Sequence, residues 1–300
     1  MRVGYVGLGN MGGALARRLL RTHPLHVYDL SASAMQGLAD AGATPCASLA
    51  VLAAQCDTIL VCLPTSDHVR AALFGPSGIA SAASPGLLII DQSTGDPTAT
   101  RSMATELATS GIAMMDAPVS GGAQGAKAGT IAVMVGASRA QYDQARPILD
   151  AISANIFHAG DVGAGHVMKL VNNMLSGAQR LLTFEAVALA AKNGIDPRRA
   201  CDVLMAGGGR NSFLEKFMGP RVINGDLVSP FTLGLMLKDI RLACQLGSDS
   251  GVPLLYGNLT KEFYQLCVGQ QGDASEVNTA ALVVDQLAGT HVVPPNPKLR

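Results

Sequence analysis

Near the middle of this 300-residue chain, an amine and an amide are spaced one helical turn apart. Lys169 and Asn173 lie in residues 160–193, where Val167, Leu170, Val171, Met174, Leu175, Ala178, Leu181, Leu182, Ala186 and Leu189 keep a three/four spacing. That spacing predicts one long amphipathic helix. On it the two side chains share a face, about 6 Å apart along the axis. An amine can take a proton from a hydroxyl or return it, and an amide can hold a carboxylate beside it. The same pair also suits a solvated helix face, so its chemistry depends on the rest of the chain.

Two other stretches carry chemistry. Residues 116–129, D-A-P-V-S-G-G-A-Q-G-A-K-A-G, are too open for core. Ser120 with the amides of Gly121 and Gly122 can build an anion-receiving cradle, although a flexible surface linker has the same composition. At the other end, residues 2–6 read as a short buried strand running into Gly7-Leu8-Gly9-Asn10-Met11-Gly12 and then a helix to about Arg21. This is G-x-G-x-x-G in a strand–turn–helix context. Gly7 permits the tight turn, Gly9 admits a pyrophosphate to the backbone, and Gly12 lets helix and strand pack closely. The helix N-terminus adds free N–H groups and the positive end of its dipole. A second strand, residues 25–28, ends at Asp29, about 20 residues on, where a ribose-binding acid belongs. Its carboxylate suits the ribose hydroxyls and repels a 2′-phosphate, and residues 30–34 offer no Arg or Lys to neutralise one. NAD is therefore the expected cofactor, with NADP disfavoured.

The elements that position these groups follow from periodicity. Further strands are expected at residues 58–63, 87–91, 113–116, 131–135 and 155–158, in a sheet of about eight strands. Asp96-Pro97 opens a helix to about Thr109, and Ser138 caps the helix between the last two strands. Ligands of such sheets lie beyond the strands' carboxyl ends, which places Leu63-Pro64 and Ser93-Thr94 to touch the cofactor, although a Pro after a strand is also an ordinary stop signal. Beyond residue 162 only helical patterns occur. Asn193-Gly194 stops the long helix, and Asp196-Pro197 opens one reaching Met205. Residues 213–222 form another, broken at Gly219-Pro220. Thr232 caps a helix with Leu233, Met236, Leu237, Ile240 and Cys244 inward, and Lys238 and Asp239 emerging opposite, available to a cleft or forming a surface ion-pair face. Helices at 254–267 and 275–287 follow. The expected fold is an N-terminal α/β domain with a doubly wound Rossmann-type sheet (1–161) and an all-α C-terminal substrate and oligomerisation domain (162–289). A long interdomain helix joins them, and residues 290–300 form a flexible tail.

Composition excludes several function classes. Acidic and basic residues balance at 22 each, so no basic face for nucleic acid is implied. Six dispersed cysteines without a C-x-x-C, and six histidines without metal-ligand spacing, argue against a disulfide framework or a metal site. They fit a reducing compartment. No apolar run reaches membrane-spanning length, and the chain opens on a strand and glycine loop rather than a signal peptide. A cytoplasmic location is expected.

Taken together, these motifs resemble the β-hydroxyacid dehydrogenase family, up to about Leu287. G-L-G-N-M-G at residues 7–12, D-A-P-V-S-G-G at 116–122, G-x-x-G-x-G-x-x-x-K-x-x-x-N at 160–173 and K-D at 238–239 match in order. The resemblance implies that Lys169 is the catalytic lysine and that Ser120, Gly121, Gly122 and Asn173 hold the substrate carboxylate, with Asp239 beside them. It implies that Leu63, Pro64, Thr94 and Lys238 line the nicotinamide end, and that the chain forms a homodimer or homotetramer. Two positions depart from the pattern. His68 falls where many members have Asn. Ser212 falls where several have a Trp, which either opens the substrate side to a bulkier or more hydroxylated acid or leaves Phe213 to fill the space.

The implied reaction interconverts a small 3-hydroxy acid and its 3-oxo acid or semialdehyde. Lys169 would be the general acid/base, its pKa lowered by desolvation or by a cation such as Lys238. A dedicated tartronate or succinic semialdehyde reductase is the alternative within the enzyme class. A dinucleotide-binding sensor without turnover is the alternative outside it, and such a sensor has no use for the Lys169–Asn173 pair.

Overall fold

The structure is a computed structural model and describes residues 1–299. The chain forms two compact units, dividing after Lys169.

The first unit alternates strands and helices. In order they are β1 (Val3–Val6), α1 (Asn10–Leu19), β2 (Leu25–Tyr28), α2 (Ala32–Ala39), β3 (Thr44–Pro45), α3 (Leu49–Gln55), β4 (Thr58–Val61), α4 (Ser66–Phe74), β5 (Leu88–Asp91), α5 (Pro97–Ala108), β6 (Ala113–Asp116), β7 (Val119–Ser120), α6 (Gly122–Ala128), β8 (Ala132–Gly136), α7 (Arg139–Ile152) and β9 (Ile156–Gly160), followed by the start of α8 (Ala164–Lys192). The sheet runs β3-β2-β1-β4-β5-β6-β8-β7, with β9 added to β8. Strands β1 to β6 pair in parallel, while β8 runs antiparallel to both β6 and β7. This is a Rossmann-type sheet whose order reverses between β1 and β4, the point where ligands bind such sheets.

Alternating side chains fill the two faces separately. Val3, Tyr5, Leu60 and Ile90 pack into one layer, and Val6, Ile59, Val61 and Ile89 into the other. Helix starts follow the capping residues read from sequence. Asp96 accepts from the Thr98 amide, and Ser138 forms a reciprocal capping box with Gln141. Residues 122–128, expected as open loop, are the short helix α6. Their small side chains let it pack on α1, with Ala126 buried. The two-residue strands β3 and β7 are too short to leave a period in the sequence.

The second unit contains the rest of α8, then α9 (Pro197–Ala206), α10 (Leu233–Ser250), α11 (Leu255–Gln271) and α12 (Ala280–Ala288). Its core includes Leu181, Phe184, Val187, Met218, Leu233, Leu237, Ile240, Tyr264 and Val283. Residues 213–222 form a π-helical turn at Leu214–Met218 and a 3-10 turn at Val222–Asn224 in place of the expected α-helix. Residues 290–300, expected as a flexible tail, are packed at their start, where Thr290, Val292 and Val293 are buried; Arg300 lies outside the described residues. Buried Asp285 accepts hydrogen bonds from the Thr290 hydroxyl (2.6 Å) and from the Val292 and Val293 amides (3.0 and 2.9 Å). Farther on, the Lys298 amide donates to the Gly225 carbonyl.

Helix α8 is apolar on more than one face. Leu170, Leu181, Phe184, Val187 and Ala188 are buried, while Val171, Leu175, Leu182 and Leu189 are exposed, the last two by 63% and 67%. Among the described residues no helix is long and apolar enough to cross a membrane.

Candidate active site

The glycine loop follows β1 without a break. Gly7 has φ +89° and donates its amide to the Tyr28 carbonyl, and a side chain at Gly12 would run into the Gly7 carbonyl. Helix α1 begins at Asn10 with no side-chain cap and no acid in its first turn, so no side chain caps its N-terminal amides. At the end of β2, Asp29 accepts from the Leu8 amide (2.6 Å) and the Ser31 amide (2.7 Å). The carboxylate thus fixes the loop it serves. A carboxylate accepts about four hydrogen bonds, so acceptor capacity remains.

The carboxyl ends of β4 and β5 are tied to each other. The Leu63 amide donates to Ser93 Oγ at 2.9 Å, which sets Leu63-Pro64 beside Ser93-Thr94. His68 is exposed and its Nδ1 lies 2.7 Å from Thr65 Oγ1, the cap of α4. That contact occupies one ring nitrogen within the helix start.

Lys169 is carried by a helix end clamped to the sheet. Asp116, buried at the end of β6, accepts from the Gly163 amide (2.6 Å) and the His166 amide (2.7 Å). His166 is fully buried. Its Nε2 donates to the Ser93 carbonyl (3.1 Å), and its Nδ1 meets Thr100 Oγ1 (2.9 Å). The ring lies 3.9 Å from Asp91 and 4.0 Å from Asp116. Burial pushes the Asp116 carboxyl up, with His166 opposing. A side chain at Gly165 would strike the Met134 carbonyl and Asp116, so this approach admits only glycine. One network therefore holds both the Ser93-Thr94 loop and the turn preceding Lys169. Nearby, burial pushes the Cys62 thiol up to about 12; Asp91 adds to the rise and the Lys169 charge opposes it.

Ser120 ends β7 half-buried. Gly121 and Gly122, both exposed, are the cap and first residue of α6, which has no side-chain cap.

In the second unit, Asn173 is buried on α8, and its Nδ2 donates to Asp239 Oδ2 at 2.6 Å. Asn172 Nδ2 donates to Asn173 Oδ1 at 2.9 Å, and Lys238 Nζ lies 2.9 Å from Asp239 Oδ1. The expectation that Asp239 emerges opposite the core is corrected. Asp239 is 1% exposed, because it lies on the buried side of α10 with Met236 and Ile240 and faces Asn173. Ser212 is exposed, whereas Phe213 is buried, edge-on to Phe184 at 5.2 Å and stacked on Phe217 at 5.7 Å. Phe213 is the ring that fills this part of the core.

Sequence reasoning missed His166, Asn172 and the role of Asp116. All three stood inside or beside quoted motifs, but Asp116 and His166 pair with residues tens of positions away, and Asn172 donates to its neighbour Asn173 through a side chain that no spacing marks.

A Rossmann sheet with an uncapped glycine loop and an acid at the end of β2, followed by a helical domain, defines a nicotinamide dinucleotide-dependent oxidoreductase. Residues 2–160 match the family model described as the NAD binding domain of 6-phosphogluconate dehydrogenase. Residues 163–284 match the one described as NAD-binding of NADP-dependent 3-hydroxyisobutyrate dehydrogenase. The chain is 33% identical over 293 residues to 2-(hydroxymethyl)glutarate dehydrogenase of Eubacterium barkeri, covering 97% of each. It is 38% identical over 271 residues to 3-hydroxyisobutyrate dehydrogenase of Pseudomonas aeruginosa, covering 88% of this chain and 91% of that one. Among solved structures, Mycobacterium tuberculosis 3-hydroxyisobutyrate dehydrogenase with L-serine matches with a TM-score of 0.86 at 30% identity, covering 95% of this chain and 99% of that one. The chain belongs to the β-hydroxyacid dehydrogenase family, enzymes that act on CH–OH groups with NAD(P).

Proposed function

We propose that the enzyme oxidises a small 3-hydroxy acid to its 3-oxo acid or semialdehyde with NAD, and that Lys169 is the proton-transfer group. The observation that carries this is the clamp around His166 and Asp116, which holds Lys169 one turn beyond the Ser93-Thr94 loop's anchor. NAD, when bound, supplies the hydride acceptor; the glycine loop, Asp29, Leu63, Pro64, Thr94 and Lys238 are the residues proposed to hold it. Ser120 and the Gly121 and Gly122 amides receive the substrate carboxylate. Asn173, one turn from Lys169, adds an amide oriented by Asp239. Lys169 takes the hydroxyl proton as hydride leaves the carbinol carbon, and returns it in the reverse direction.

Preference for NAD over NADP rests on the Asp29 charge and on the exposed, uncharged Leu30 beside it. The relatives act on a hydroxymethyl diacid and on a branched monoacid, which supports the common 3-hydroxy acid unit. Six free cysteines support a reducing, cytoplasmic setting. The exposed stripe on α8 supports a homodimer or homotetramer. The functional test is NAD reduction across a panel of three- to six-carbon hydroxy acids. Turnover confined to 3-hydroxy acids is expected, and absence of turnover with all of them contradicts the proposal.

A further inference from the structure

We propose that Arg180 receives a second anionic group of the substrate, so that the preferred substrate is a 3-hydroxy acid carrying two carboxylates. The inference rests on the function proposed above and deepens it.

Arg180 lies on α8, seven residues beyond Asn173 and eleven beyond Lys169. At 3.6 residues per turn, both intervals return to within about 20° of the same face. Amine, amide and guanidinium therefore form a row along one side of the helix, with Arg180 about 10 Å along the axis from Asn173. Helical side chains lean toward the N-terminus, which brings the guanidinium back toward Asn173.

The surroundings of Arg180 resemble half of an ion pair. The residue is 8% exposed, and among the described residues no carboxylate pairs with it. Its Nη1 donates to Asn278 Oδ1, and the guanidinium carbon sits 4.5 Å from the Phe213 ring centroid and 5.9 Å from that of Phe217. Its Nε is buried without a hydrogen-bond partner. Burying a cation is costly unless a counter-charge offsets it, and desolvation accordingly lowers the Arg180 pKa. The aromatic faces hold the guanidinium plane by cation–π contact. With Nη1 taken by Asn278, the edge carrying Nε remains, and that edge matches a planar carboxylate in paired hydrogen bonds. Beside this platform, Gly207, Gly208, Gly209 and Ser212 are exposed, while Asn211 anchors the segment to Thr183 Oγ1 at 3.1 Å.

The test compares two acids with one carbon skeleton, 2-(hydroxymethyl)glutarate and 2-(hydroxymethyl)pentanoate, the latter bearing a methyl in place of the second carboxylate. Wild-type kcat/KM is expected to favour the diacid by at least about 100-fold, as for a site whose buried polar group pairs only with the correct ligand. Arg180→Gln is expected to lower kcat/KM for the diacid about 100-fold more than for the monoacid, and Arg180→Lys to recover part of that loss. If the wild-type enzyme treats the two acids alike or prefers the monoacid, the proposal is overturned without recourse to any variant. Equal losses on both acids in Arg180→Gln, with a lowered melting temperature, assign Arg180 to packing alone and overturn it too. Turnover of the monoacid only sinks this inference and leaves the function standing, whereas turnover of no hydroxy acid sinks both.

Discussion

Asn173 Nδ2 donates to Asp239 Oδ2 at 2.6 Å, and the same carboxylate draws in Lys238 Nζ at 2.9 Å. A buried acid thereby sets the position of two polar side chains on two helices. Asp239→Leu leaves the Asn173 amide without its acceptor, at a cost of about 1–3 kcal/mol. We expect a lower melting temperature and a substrate KM raised at least about tenfold, the latter because a positioning group has been lost. Asp239→Asn keeps an oxygen for Asn173 and is expected to hold KM within a few-fold. A wild-type KM in Asp239→Leu contradicts the positioning role.

The role proposed for Asp29 is tested by cofactor preference. A like-charge contact with a 2′-phosphate costs on the order of 1–2 kcal/mol even when partly solvated. Measured kcat/KM should therefore favour NAD over NADP by at least about tenfold. Asp29→Ser with Leu30→Arg should narrow or reverse the ratio. Equal use of NADP by the wild-type enzyme means that Asp29 serves only the Leu8 and Ser31 amides.

Much of the fold could be read from residues whose partners are near in sequence. The caps at Asp96, Ser138, Asp196 and Thr232 depend on contacts within a few residues, and the glycine loop and the bounds of β2 and β6 leave local turn and periodicity signals although their hydrogen bonds reach other strands. Features decided at long range were less legible. Asp239 reads as a surface charge until Asn173, 66 positions away, supplies its partner. Residues 290–293 read as a tail because Asp285 binds them through one hydroxyl and two backbone amides, which leave no sequence pattern. Helix α8 showed the right period, but its apolar residues serve two faces, and periodicity does not divide them. His166 and Arg180 are polar residues inside a core, and nothing local distinguishes them from exposed ones.

Cys62 provides a check on electrostatics beside Lys169. A thiol raised to about 12 leaves about 10⁻⁴ as thiolate at pH 8, against a tenth or more for an ordinary cysteine. Alkylation of Cys62 by iodoacetamide, followed by peptide mass spectrometry, should run about 10³-fold slower in native than in urea-unfolded protein. The folded state keeps this proton longer than the unfolded chain, so Cys62 favours folding below the ordinary thiol pKa. That contribution is lost as pH rises from about 8.5 toward 12. Rapid native alkylation at pH 8 contradicts this environment.

Val171, Leu175, Leu182 and Leu189 follow a spacing of four, seven and seven along one side of α8. Burying an exposed leucine contributes about 1.5–3 kcal/mol. Light scattering after size exclusion should give a dimer or tetramer for the wild-type chain, and a monomer with unchanged far-ultraviolet dichroism for Leu182→Glu with Leu189→Glu. A wild-type monomer at micromolar concentration contradicts self-association through this stripe.

Proton transfer by Lys169 is tested most directly by replacing it and measuring turnover and cofactor binding together. General acid–base groups contribute about 10²–10⁴-fold in rate. For Lys169→Ala, kcat on the best hydroxy acid is expected to fall by that factor while the Kd for NAD stays within a few-fold, since the proposed pyrophosphate and ribose contacts lie at Gly9, Gly12 and Asp29. Lys169→Arg should not restore the rate, because a guanidinium keeps its proton. A Lys169→Ala enzyme with near wild-type kcat and normal NAD binding contradicts the assignment of the proton to this amine.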